Sequence, residues 1–213
     1  MKRTLACLAL SLAALGAAHA AADVAPDALV RKSIDEVLAI IKADKELQNG
    51  NPKKVQALVE EKVIPHFDFT RMTRLAVGRS WSQASDAQKQ ALTREFQALL
   101  VRTYSTSISQ YRNQVIEVKP ARVAAGDKDT VVKTVVNQPG GQPIPIDYGM
   151  EKSDRGWMVY DVLVDGVSLV TTYRSSFNDQ IQKSGIDGLV KTLSDRNRSS
   201  EAPKAPVKVD LKK

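Results

Sequence analysis

The chain has 213 residues, with 31 Lys and Arg against 24 Asp and Glu, two histidines and one cysteine. A single cysteine excludes an intrachain disulfide, and so few histidines and cysteines exclude the usual zinc sites. The length suits one domain with a sizeable core, and the formal charge of +7 suits an anionic surface or partner as readily as an ordinary solvated exterior.

Lys2 and Arg3 precede an apolar run from Leu5 to Ala18, and Ala18-His19-Ala20 supplies the small residues of a cleavage site. This pattern is a secretory signal peptide over residues 1–20, cut after about Ala20. The run is too short to span a bilayer comfortably. Cys7 stands near its start, whereas a lipidated cysteine belongs at its end. The leader therefore predicts export to a bacterial periplasm, which makes nucleic acid an unsuitable partner. It also takes Cys7, His19 and two positive charges with it.

After the leader, Leu29, Val30, Ile34, Val37, Leu38 and Ile41 recur at helical spacing and predict a helix over about 26–44. Asn51 and Pro52 predict the cap and first position of a second helix, which carries Val55, Leu58 and Val59. Asp68 or Thr70 opens a short helix through Ala76, and Gly78 stops it. Ser85-Asp86-Ala87-Gln88 is a capping box for a long helix to about Tyr111. Leu92, Phe96, Leu99, Leu100, Tyr104, Ile108 and Tyr111 form its apolar stripe.

The pattern then changes from helical to extended. Strands are predicted at 114–120, at 130–137, from Ile144 to Met150 and from Trp157 to Val164, joined by short Gly-, Asp- and Pro-rich turns. Met158, Tyr160, Val162 and Val164 alternate onto one face of the last strand, with Asp161 opposite. Asp165-Gly166 closes the sheet. Ser168 caps a helix carrying Leu169, Val170, Tyr173, Phe177 and Ile181; Gly185 ends it, and Asp187 caps a last short helix. Residues 198–213, rich in Ser, Pro and Lys, are expected to form a disordered tail. The order helices, sheet, helices predicts an α+β domain over 21–197, with helices on one face of a four-stranded antiparallel sheet.

Chemistry-bearing residues are sparse. His66 is the one histidine after the leader, in the setting of an ordinary surface or half-buried residue, and no nucleophile elbow or phosphate-cradling glycine motif is present. No catalytic residue, metal site or cofactor is assigned. Asp161 suits either a solvated or paired position or a catalytic carboxylate, and Asp68 a helix cap. Tyr104, Tyr111, Tyr148, Tyr160 and Tyr173 suit either a packed core or the rim of an apolar cavity.

Two stretches carry a family resemblance. One is Phe67-Asp68-Phe69, Met72, Ala76-Val77-Gly78 and Trp81, leading to Gln88, Phe96, Leu99-Leu100 and Tyr104. The other is Trp157-Met158-Val159-Tyr160-Asp161-Val162, Gly166-Val167-Ser168-Leu169-Val170, Tyr173-Arg174, Phe177, Ile181 and Gly185-Ile186-Asp187-Gly188-Leu189. Together, over roughly residues 27–197, they resemble the MlaC or toluene-tolerance auxiliary family. The departures are an Ala-Val-Gly where Ala-Leu-Gly is usual and the Pro/Lys tail.

The resemblance implies a non-enzymatic periplasmic carrier. Such a carrier shuttles glycerophospholipids between an outer-membrane lipoprotein complex and an inner-membrane ABC transporter with its periplasmic substrate-binding subunit, maintaining outer-membrane lipid asymmetry. It implies an apolar cavity between sheet and helices for two or more acyl chains, with the headgroup near the mouth. On the inward faces read above, the wall then falls to Ile146, Tyr148, Met150, Tyr160, Val162 and Val164 of the sheet. Leu100, Tyr104 and Ile108 of the long helix and Val170, Tyr173 and Phe177 of the next complete it. Arg174 is a surface charge or a contact for a headgroup or partner. Two other readings predict different interiors. A cavity enzyme of a cone-shaped α+β fold, using a carboxylate such as Asp161 on a small apolar substrate, needs an inward carboxylate. A structural adaptor without a ligand needs a filled core.

Overall fold

In the computed structural model, residues 24–109, 114–199 and 206 are described, the backbone alone for 106–109. The expected signal peptide, Tyr111 and most of the expected tail lie outside the described residues. Among those described, no helix is long and apolar enough to cross a membrane.

Helix α1 (Pro26–Ala43) begins with proline at its first position, where a missing N–H costs nothing. The Asp44 carboxylate accepts from Glu46 N (2.8 Å) and Leu47 N (3.3 Å) and so opens a one-turn helix, α2 (Lys45–Gln48). Asn51 caps α3 (Pro52–Leu58) by accepting from Lys53 N and Lys54 N. A π-helical turn (Val59–Val63) and a 3-10 turn (Ile64–His66) follow without a break. Asp68, rather than Thr70, caps α4 (Phe69–Val77), and Gly78 leaves it at φ 66. The capping box forms as expected: Gln88 N donates to Ser85 Oγ (3.2 Å) and Ser85 N to Gln88 Oε1 (2.9 Å), at the head of α5 (Asp86–Ser109).

The sheet is an antiparallel meander of β1 (Val115–Val118), β2 (Asp129–Asn137), β3 (Ile144–Ser153), β4 (Gly156–Val164) and β5 (Val167–Ser168), in chain order. It has five strands, not the four expected. Asp165 (φ 49) and Gly166 (φ 77) both adopt left-handed backbone, the requirement of a two-residue hairpin loop. The chain thus reverses and pairs Val167 with Val164 and Ser168 with Leu163 before the helix starts.

A β-bulge in β4 alters the predicted faces. Gly149 pairs with Asp161 and Met150 with Val159, so Tyr160 is the extra residue. An inserted residue switches the side-chain alternation across it. A Cβ at Gly149 would come within 3.3 Å of the Tyr160 ring, so bare backbone there gives that ring its room.

Helix α6 (Leu169–Arg198) kinks at Gly185 (φ 70, ψ −177), where the sequence predicts a boundary between two helices. With α4 and α5 it encloses an all-helical core that includes Met72, Leu92, Phe96, Leu99, Val170, Tyr173, Phe177, Leu189 and Leu193. The Phe96 ring meets Tyr173 and Phe177 edge-on, each at 5.1 Å. A second core joins Val30 of α1 to Val118, Val132, Met150, Trp157 and Val159 of the sheet. On the opposite sheet face Val131 is 46% exposed, whereas Met158 is buried and Arg71 of α4 reaches Asp129 and Glu151.

Candidate functional site

Between α1 and the inner sheet face lies a cavity of about 360 Å³. Alternation along β2, β3 and β4 sends Val136, Ile146, Tyr148, Met150, Val159, Val162 and Val164 to its floor, with Ile116 from β1. The α1 stripe of Leu29, Val30, Ile34, Val37, Leu38 and Ile41 forms its roof. One end is closed by Leu100, Val101 and Tyr104 of α5, the other side by Val59, Val63, Ile64, Phe67, Phe69 and Met72. The volume falls in the range of small-ligand sites, and the wall is far more apolar than the mixed surface usual for a polar substrate.

The hydroxyls of three wall residues, Tyr148, Ser33 and Ser105, are held by neighbouring protein groups. Thr134 Oγ1 donates to the Ile146 carbonyl (2.5 Å), and the Thr134 side chain also interacts with the Tyr148 hydroxyl. Burial pushes Tyr148 up to about 12. The Ser33 and Ser105 hydroxyls donate to Leu29 O (2.9 Å) and Val101 O (2.5 Å) of their own helices, which hides their polarity from the cavity.

Seven of the twelve wall residues expected from the sequence are brought together here: Leu100, Tyr104, Ile146, Tyr148, Met150, Val162 and Val164. Ile108 lies on α5, but its side chain is outside the described residues. Val170, Tyr173 and Phe177 are drawn into the helical core around Phe96 and do not line the cavity. They share a helix face with Leu169, which does reach it, yet α6 turns away after its first residue. Tyr160 leaves the wall because of the bulge. Its ring lies 3.6 Å from the Arg71 guanidinium, which also pairs with Asp129 (2.8 Å) and Glu151. Val159 takes the inward place. The α1 roof, the 59–69 segment, Ile116 and Val136 are wall residues beyond those expected from the sequence. The α1 stripe was legible as amphipathic, but nothing local identified what it faces.

Asp161 does not line the cavity. Its carboxylate accepts from Val162 N (2.8 Å), Val170 N (3.3 Å) and the Ser168 hydroxyl (2.5 Å), tying β4 to the start of α6. The carboxylate-enzyme reading therefore loses its proposed group. Arg174 Nε donates to Leu75 O (3.0 Å) and joins α6 to α4. Among the described residues no cluster of three His, Cys, Asp or Glu side chains could hold a metal ion. A second, more polar groove of about 650 Å³ runs between α3 and α5, past Gln56, Glu60, Arg94 and Gln97, and offers acyl chains a poorer wall.

The model of the MlaC protein family matches residues 31–195, most of the chain. The chain belongs to the MlaC family. One MlaC relative, the toluene tolerance protein ttg2D of Pseudomonas putida, is 28% identical over 169 residues, 79% of this chain and 78% of its own. The intermembrane phospholipid transport system binding protein MlaC of Haemophilus influenzae is 22% identical over 177 residues, 82% and 83% of the two chains. Among solved structures, a phospholipid-binding protein of Ralstonia solanacearum, in complex with a phospholipid, superposes with a TM-score of 0.74 at 45% identity. The match covers 80% of this MlaC chain and 96% of that one.

Proposed function

We propose that this chain is a periplasmic phospholipid carrier. It holds the acyl chains of a glycerophospholipid in the cavity between α1 and the sheet and leaves the headgroup in water. It shuttles that lipid between an outer-membrane lipoprotein complex and an inner-membrane ABC transporter with its periplasmic substrate-binding subunit. The observation that carries the reading is the apolar cavity wall, in a chain 45% identical to a phospholipid-binding protein solved with its lipid. The leader at residues 1–20 supports export.

Physical chemistry sets what such a carrier must do. Each methylene moved from water to an apolar site contributes about 0.8 kcal/mol. Two chains with on the order of 30 methylenes would thus cost over roughly 20 kcal/mol if left in water. No catalytic group is required, but release must be coupled to an acceptor, because escape into water is too uphill. We propose that the membrane-bound partners accept lipid from an opened carrier. The test is transfer of a fluorescent phospholipid between donor and acceptor vesicles. Delipidated protein should accelerate exchange in proportion to its concentration; no acceleration over vesicles alone would contradict the carrier reading.

A further inference from the structure

The cavity wall has two side chains that its apolar character does not explain. Lys62 and His66 both line it, both are half-buried, and they stand four residues apart on the continuous helical stretch of the π and 3-10 turns. The other polar groups of the wall are committed. Ser33 and Ser105 bond their own helix carbonyls, Tyr148 is joined to Thr134, and Tyr104 has an interaction of its own.

We propose that Lys62 and His66 form a phosphate subsite at the rim of the cavity, one that recognises the phosphodiester of a lipid whose tails lie inside. The proposal rests on the carrier reading and gives it a chemical selectivity. A Lys ammonium is a compact charge with three donors, and an imidazole offers at least one N–H. Both are suited to a phosphate oxygen from a flexible setting. Lys62 now pairs with Glu61 at 3.0 Å, and Glu36 lies near enough to act on it. The Glu61 bond, foremost, holds the ammonium above its usual pKa, so it is charged at neutral pH. With Glu61 72% exposed, that pair is the weak kind that solvent screens. A phosphate tethered by its own buried acyl chains is present at the rim at high effective concentration and exchanges with Glu61 readily. A π-helical turn, a form frequent at functional sites, carries Lys62.

The test offers delipidated full-length protein vesicles with equal amounts of dioleoyl phosphatidylglycerol and dioleoylglycerol, and quantifies bound lipid by mass spectrometry. The tails are identical, so the ratio reads the phosphoglycerol headgroup. Wild type should prefer the phospholipid. K62Q/H66Q should lower that preference about tenfold, the loss of a charge-assisted bond, while total lipid bound stays level. K62R, which keeps the charge, should retain the preference, and K32Q, on an exposed turn of α1, should leave it unchanged. An equal preference in wild type and K62Q/H66Q would overturn the subsite. Perturbation of Lys62 and His66 resonances by inorganic phosphate, without any lipid preference, would also overturn it, as a site for free phosphate. Failure of wild type to take up either lipid would instead refute the carrier reading.

Discussion

Replacing Val162 by glutamate puts a carboxyl on the cavity floor opposite α1. The empty cavity, about 360 Å³, has room for on the order of ten waters, so the apo protein can keep that carboxylate wet. Lipid strips the water away. Leaving the group ionised and dry costs several kcal/mol. Protonating it instead at pH 7, from an ordinary glutamate value near 4.3, costs about 3–4 kcal/mol. The cheaper route limits the penalty, so lipid affinity should fall by several-hundred-fold at pH 7. The sign of the pH dependence follows: the cost shrinks by about 1.4 kcal/mol per unit of acidification, and lipid uptake should largely recover near pH 5. The assay is bound phospholipid per folded chain after incubation with vesicles at the two pH values, with circular dichroism as the check on folding. Val131→Glu, at an exposed position on the opposite sheet face, is the control and should change nothing. Full lipid uptake by a folded Val162→Glu protein at pH 7, or a deficit that does not shrink on acidification, would refute the reasoning.

Phe96→Ala should destabilise the protein by about 3–5 kcal/mol in denaturant unfolding, because Phe96 is fully buried and joins Tyr173 and Phe177 edge-on; a loss under about 1 kcal/mol would contradict the core assignment. Tyr148 is neutral when folded and its pKa is raised to about 12 by burial. Its contribution is therefore complete below pH 10 and lost as pH rises toward 12, on the order of 2 kcal/mol, and Tyr148→Phe should remove that share of the alkaline decline. Ser168→Ala removes both the α6 cap at Thr171 N and the bond to Asp161, and should cost about 1–2 kcal/mol in thermal unfolding without reducing lipid binding.

Local chemistry made much of the fold legible. Asn51, Asp68, Ser85 and Ser168 each cap a helix at the residue where a side-chain oxygen meets free backbone N–H groups. Features that depend on pairing were harder to read. Asp165-Gly166 is a hairpin signal, yet the strand it produces is two residues long, too short to show a period. The β4 bulge leaves no trace in hydropathy, since Val159, Tyr160, Val162 and Val164 are all apolar or aromatic. The faces before and after it were therefore joined as one.

The site divided along the same line. Apolar strand and helix faces were recognisable, but whether such a face meets a filled core or an empty cavity depends on its opposite wall. Tyr173 and Phe177 found Phe96, whereas Tyr148 and Val162 found the open space beneath α1. His66 and Lys62 give no local signal, because their position on the cavity wall is set by the turn that follows α3.

Phospholipid carriage is tested most directly by what the protein contains when it leaves the cell. The full-length protein would be expressed in a bacterium, recovered from the periplasm without detergent, and extracted with organic solvent for mass spectrometry. The account predicts stoichiometric glycerophospholipid in the extract. Folded protein that repeatedly yields none would contradict it.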